Sequence, residues 1–262
     1  MAIDSLVNTP LAWPRRHFGK LLLVAAALAW LAYVAPHSPV LKALLQWSPA
    51  LIAGFGQNIL ISLLAIGLGS LVGLLVGAMV LSPLRLLRWP ARIWVQIFRN
   101  APWLVLIYFT TYVFPFEIRI GSTYVAFPDW VKVTLGLALP ASANVAEIFR
   151  GAIASIPSTQ WEAARSLAFS RGQIFRSIIL PQCFKRMLPP WMNLYAVITM
   201  GTALASLVGV HDVIDTAQIA SNTVNLTGFT VVIYLSLLVL FFAYCYPISR
   251  LTQYLERRYA FY

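Results

Sequence analysis

"FGQNILISLLAIGLGSLVGLLVGAMVL", residues 55–81, runs for 27 residues without a single charged side chain. About 20 apolar residues suffice for a helix to cross a hydrocarbon core roughly 30 Å thick. The apolar positions are continuous rather than alternating, so the run reads as a helix and not as a barrel strand. Gly67, Gly69, Gly73 and Gly77 recur every few positions. Small residues at such spacing let membrane helices approach closely.

Working outward, further apolar runs fall at about 21–35, 92–115, 130–153, 189–210 and 228–249. The expected fold is an all-α integral membrane protein with six transmembrane helices. Composition agrees: the 262 residues are 60% hydrophobic and only 10% charged, and mean hydropathy is +0.78. Soluble domains carry about 25% charged residues. The first run, "LLLVAAALAWLAYVA" (21–35), follows Arg15, Arg16 and Lys20 and has the layout of a signal peptide. Pro36 directly after it obstructs cleavage, so the run is read as a retained first span. Cys183 and Cys245 show neither a disulfide framework nor metal spacing.

The net charge of +11 does not mark a nucleic-acid binder, because the basic residues alternate between loops instead of forming one stripe. With both termini inside, sixteen of the nineteen lysines and arginines fall in inner segments. Only Lys42, Arg119 and Lys132 fall outside. This is the bias expected of a multi-pass protein whose termini are both cytoplasmic.

The count puts residues 154–187 in the cytoplasm, including "WEAARSLAFSRGQIFRSIILPQ" (161–182). "TQWE" (159–162) and "SRGQ" (170–173) each fit a capping box. The segment is therefore expected to form two short helices with a bend near Phe169 and Ser170, the second limited by Pro181. Ala163 and Ala164 would give the first helix a shallow face, with Trp161, Leu167 and Phe169 beside it. Such a helix suits another protein's groove. On composition alone it equally suits lipid headgroups.

The order of residues decides between them. Glu162, Ala163, Ala164, then Ala168, then Ile178, Leu180 and Pro181 resemble the EAA loop of bacterial ATP-binding cassette importers. That family usually has glycine where this chain has Ala168, a substitution that keeps a small, helix-compatible residue. "FRNAPWLVLIYF" (98–109) is similar to the family's Arg-x-x-Pro-Leu segment. "NVAEIFRGAIASIPSTQWEAA" (144–164) and "LPPWMNLYAVITMGTALASLVGV" (188–210) resemble its polar amino acid uptake branch.

The resemblance covers about residues 50–250. It implies a type I importer permease subunit with one extra N-terminal span before a five-helix core. The implied divisions are 1–50 (N-terminal segment, first span, periplasmic loop), 51–250 (transmembrane domain) and 251–262 (cytoplasmic tail). It further implies a bacterial inner-membrane location, two cytoplasmic ATPase subunits, a second permease subunit, a periplasmic substrate-binding protein and lipid as partners. ATP and Mg would belong to the partner ATPase, since this chain has no Gly-x-x-x-x-Gly-Lys loop. The ATPase-coupling residues implied are Glu162, Ala163, Ala164, Arg165, Leu167, Ala168, Phe169 and Arg171.

Span five is where relatives commonly carry Lys-Asp-Thr-Ser. Here the positions hold Met200, Gly201, Thr202 and Ala203. Asn193, Thr199, Thr202 and Ser206 then become the substrate-path candidates, and the missing charge pair points to a heterodimer with a related permease, although pairing with a second copy is also open. Other polar residues have plainer readings. Glu147 and Arg150 lie one turn apart and can pair. Arg99 either snorkels or contacts a gate. His211, Asp212 and Asp215 read as a solvated outer loop, or else as a docking surface for the binding protein, with too few ligands for a metal. A secondary transporter or channel is the other functional class, but few charges lie where its coordination sites would be.

Overall fold

The structure is a computed structural model that describes residues 38–120 and 123–259. The first run, 21–35, lies outside the described residues. Helix α1 (Pro39–Val80) is followed by α2 (Arg85–Asn100), α3 (Trp103–Val113), a hairpin of β1 (Glu117–Ile120) and β2 (Thr123–Ala126), and α4 (Asp129–Ala154). Next come α5 (Ser158–Ser166), the helical run α6 (Arg171–Val208), α7 (Val213–Val224) and α8 (Thr227–Tyr259). Three of these are long and apolar enough to cross a membrane: α1, α6 and α8. The fold is that of a helical membrane bundle, with the small hairpin as its departure from all-α.

Helix α4 sits at the centre. Its buried residues are mostly small, among them Ala138, Ala141, Ala143 and Ala146. It meets other helices rather than lipid, which explains why it is less greasy than α1 although its 26 residues span about 39 Å. The glycines of the opening stretch are what admit it. A Cβ on Gly69 would come 2.5 Å from the Ala141 Cβ, and one on Gly73 would come 2.6 Å from the Ser142 carbonyl oxygen. Gly77 meets Phe149 in the same way, whereas Gly67 faces open space. One ridge of α1, at i, i+4 and i+8, thus lies backbone to backbone on α4. Ile61, Ile66, Ile107, Val133, Leu137, Leu194 and Ile198 fill the core where α1, α3, α4 and α6 converge.

Four expectations are corrected. The apolar run 92–115 is not one helix. It breaks at Ala101–Pro102, because a residue before proline is pushed to extended backbone, and Ala101 has ψ 138°. The Asn100 amide donates to the Gln96 carbonyl oxygen at 2.7 Å, satisfying an acceptor at the end of α2. Second, α1 begins at Pro39 and runs unbroken past residue 50, where a loop was expected.

Third, Pro181 does not limit the second loop helix. Residues Ile174–Ile179 form a π-helical turn within α6, and the helix continues directly through Pro181. Pro181 sits in the first turn after the π segment, where its missing N–H costs little. Fourth, residues 211–215 are a solvated loop only at His211, which is exposed and pairs with Asp215 at 2.7 Å. Asp212 is fully buried and caps α7 by accepting from the Asp215 N–H at 2.9 Å.

The hairpin is antiparallel, with Ile118 opposite Val125 and Arg119 opposite Tyr124. Beneath it Lys132 is fully buried. Its ammonium pairs with Asp129 at 3.0 Å and lies 4.0 Å from the Phe116 ring centroid. These contacts compensate the desolvation that an isolated charge would suffer.

Candidate functional site: the helical projection after α4

Helix α4 ends at Ala154, and the chain turns through Pro157 into α5. The Thr159–Glu162 capping box does not form. The helix starts two residues earlier, at Ser158, with Pro157 as its cap and no side-chain cap bond. Glu162 is consequently not turned back on its own backbone. It is exposed and makes no ion pair among the described residues.

The end of α5 is a Schellman turn. The Phe169 N–H donates to the Ala164 carbonyl at 3.2 Å, and the Ala168 N–H donates to the Arg165 carbonyl at 2.9 Å. That geometry requires left-handed backbone at Ala168, where φ is 59°. Ala168 is therefore not a helical position, contrary to expectation. Glycine suits it because a Cβ is unfavourable there. The second box does form: the Ser170 N–H donates to Gln173 Oε1 at 2.9 Å and the Gln173 N–H donates to Ser170 Oγ. The bend at 167–170 lies where the sequence placed it.

Seven of the eight coupling candidates are exposed together: Glu162, Ala163, Arg165, Leu167, Ala168, Phe169 and Arg171. Ala164 is not. It is 2% exposed and packs with Ala152, Ile156, Ile174, Ile179 and Cys183. Alanines at adjacent positions point about 100° apart on a helix, so the pair could not share one face. Ala164 seats α5 on the bundle, and Ala163 belongs to the outer surface. Arg186 adds a second tie by donating to the Ser155 carbonyl at 2.9 Å.

The substrate-path candidates divide. Asn193 is exposed on α6, on the same face as Val197 and Met200. Thr199 and Thr202 are fully buried, and their hydroxyls donate to the carbonyls of Tyr195 and Thr199. Neither hydroxyl faces an open path. Ser206 is half-buried and donates to the Ala203 carbonyl. In helices, threonine and serine bond back to the preceding turn, so span-five hydroxyls overstate the polar lining.

Sequence reasoning missed a buried polar cluster. The Asn58 amide donates to Thr202 Oγ1 at 3.1 Å and to Asp212 Oδ2 at 3.0 Å. Asn58 Oδ1 accepts from the Val213 N–H at 3.1 Å. Burial pushes the Asp212 carboxyl above its usual range, against hydrogen bonds from the Asp215 N–H, the Asn58 amide and the Ile214 N–H that favour the ionised form. The one advance sign was Asn58 itself, an amide inside an apolar run. Glu147 pairs with Arg150 at 2.8 Å and lies 3.5 Å from Arg99, so Arg99 has a local partner.

Residues 66–261 match the family model described as "Binding-protein-dependent transport system inner membrane component". The chain belongs to that family. It is the permease subunit of an ATP-binding cassette importer, an inner-membrane protein with several membrane helices. ATP hydrolysis in such importers belongs to partner subunits, and a substrate-binding protein delivers the cargo.

The chain is similar to the probable amino-acid ABC transporter permease protein YckA of Bacillus subtilis, 32% identical over 84% of this chain and 94% of that one. It is also similar to the L-cystine transport system permease protein TcyB of the same organism, 29% identical over 80% of this chain and 86% of that one. Among solved structures, an amino acid ABC transporter crystallised with histidines matches with a TM-score of 0.73 and 27% identity, over 83% of this chain and 97% of that chain. A MetNI methionine ABC transporter structure, 18% identical with a TM-score of 0.60, shares the fold over 79% of this chain and 96% of that chain.

Proposed function

We propose that this permease carries an amino acid across the inner membrane and is driven through the exposed α5 surface. The relatives named for amino acids support the cargo class. The observation that carries the coupling is the α5 projection. Glu162 is exposed without an ion pair among the described residues. Beside it stand Ala163, Arg165, Leu167 (72% exposed), Phe169 and Arg171, all open to a partner. An ATPase groove closing on this surface would move α5. Through Ala164, which packs against Ile174 and Ile179 of α6, that motion would reach the membrane. Both termini lie in the cytoplasm and α5 lies on the same side, as the lysine and arginine count favours.

Ala163→Asp tests the coupling. It would bury a charge without a partner in the contact, at a cost of a few kcal/mol. Membrane insertion should be normal, ATPase-subunit binding weakened and uptake lost. Normal uptake by this variant would refute the docking surface.

The translocation path runs along the exposed α6 face that carries Asn193 and Met200, with Ser206 at its edge. No charged side chain stands on α6 between Asn193 and Val208, so an amino acid's charged groups find only hydrogen-bonding partners there. A heterodimer follows, in which a related permease supplies the charged half of the site.

A further inference from the structure

Helix α2 has three faces. Ala91 and Val95 are buried against Val76 and Val80 of α1 and Ala146 of α4. Leu86, Trp89, Ile93 and Ile97 form an apolar face that is open, with Leu86 87% and Trp89 71% exposed. Between these two runs Arg85, Arg88 and Arg92, at i, i+3 and i+7. Together with Trp89 the arginines line a shallow depression open to the surface. None of the three has an ion-pair partner among the described residues.

An exposed apolar face bordered by a cationic stripe is the arrangement of a helix lying at a membrane interface. Its apolar side meets acyl chains and its cations meet headgroups. Arginine's planar fork matches phosphate oxygens two at a time. A tryptophan at the same level anchors the interface, with its ring in the apolar boundary.

A second copy of this chain is a poor occupant. It has eight acidic residues in all, and Glu147 is already engaged by Arg150 and Arg99. We infer that Arg85, Arg88, Arg92 and Trp89 form a binding site for the phosphate headgroup of an anionic phospholipid. The site rests on the membrane reading of the chain and on its inner-side orientation, but not on the cargo or on coupling through α5. Its test therefore needs no transport.

The purified importer complex, stripped of lipid in neutral detergent, is titrated with phosphatidylglycerol and with phosphatidylcholine, and bound lipid is counted by native mass spectrometry. Phosphatidylglycerol should bind in preference to phosphatidylcholine. Each arginine near an anionic surface contributes about 5-fold in affinity, so Arg85→Gln with Arg92→Gln should weaken phosphatidylglycerol binding roughly 25-fold and leave phosphatidylcholine unchanged. A second readout needs no charge change. Brominated phosphatidylglycerol should quench wild-type fluorescence more than that of Trp89→Phe. Equal phosphatidylglycerol binding by wild type and the double variant overturns the site. Occupation by inorganic phosphate as tight as by the lipid reduces it to a free-anion site and overturns it too. Loss of the ATPase subunits from the double variant with unchanged lipid binding would make the stripe a protein contact and would likewise overturn the lipid site.

Discussion

Ala168 shows how much a single backbone angle can matter. Its φ of 59° holds a Cβ where left-handed geometry crowds it against the following carbonyl, at about 1 kcal/mol. Ala168→Gly should relieve this, raising the thermal midpoint of the purified complex by a few degrees while keeping uptake. A lower midpoint would mean that the alanine methyl makes a contact worth more than the strain. Asp212 gives a second residue-scale prediction. Burial raises its folded value above the unfolded one, near 3.9. The group's contribution to stability is therefore complete below about 3.9 and is lost as pH rises through the folded value. Asp212→Asn retains a side-chain oxygen for the α7 cap and does not titrate. Its stability relative to wild type should improve as pH is raised from about 4, measured as the thermal midpoint across a pH series. A gap that stays constant with pH would mean that Asp212 titrates at its ordinary value.

At the scale of elements, the contact between α1 and α4 organises the bundle. It depends on Gly69, Gly73 and Gly77 having nothing beyond Cα. Gly73→Val would drive a side chain into the Ser142 carbonyl and into Val145. Overpacking of this kind costs about 3 kcal/mol, so the variant should unfold at markedly lower temperature or fail to assemble. Gly67→Val, on the open side of the same helix, should be close to neutral. Thermal denaturation of the two variants side by side checks the assignment, and equal effects would show that the ridge is not the interface. Helix α6 is the other organising element. It joins the α5 turn to the buried core without a break, passing through the π turn at Ile174–Ile179. It is seated at one end by Ile174, Ile179 and Cys183 and at the other by Ile198 and Ala205.

At the scale of the whole molecule, one face of α6 remains open in the single chain. Asn193, Val197 and Met200 are exposed there, and Leu207 continues the stripe. A partner that covers this face and brings the missing charge would complete the site. Coexpression with the ATPase alone should give no uptake, and adding a related permease should restore it. A transporting complex whose only membrane subunit is this chain would refute the heterodimer.

Membrane class, helix type and the charge asymmetry between loops were readable from the chain itself, because each depends on local composition and on apolar runs of about 20 or more residues. The bend at Phe169–Ser170 was readable too, since a capping box is a contact between residues three apart. The seating of the loop was not: which of two adjacent alanines turns inward depends on the neighbour against which the helix lies, and Ala164 is the buried one. Other features belong to the tertiary structure. The break at Pro102 was written in the sequence but hidden by the continuous hydropathy of 92–115. Asn58 and Asp212 are 154 positions apart, and nothing local joins them. Thr199 and Thr202 are polar in composition, yet the packing of α6 against α1 and α4 turns them inward. A one-dimensional pattern records which residues can be buried. Which of them are buried together is decided by the three-dimensional arrangement of the helices, through contacts that chain distance does not encode.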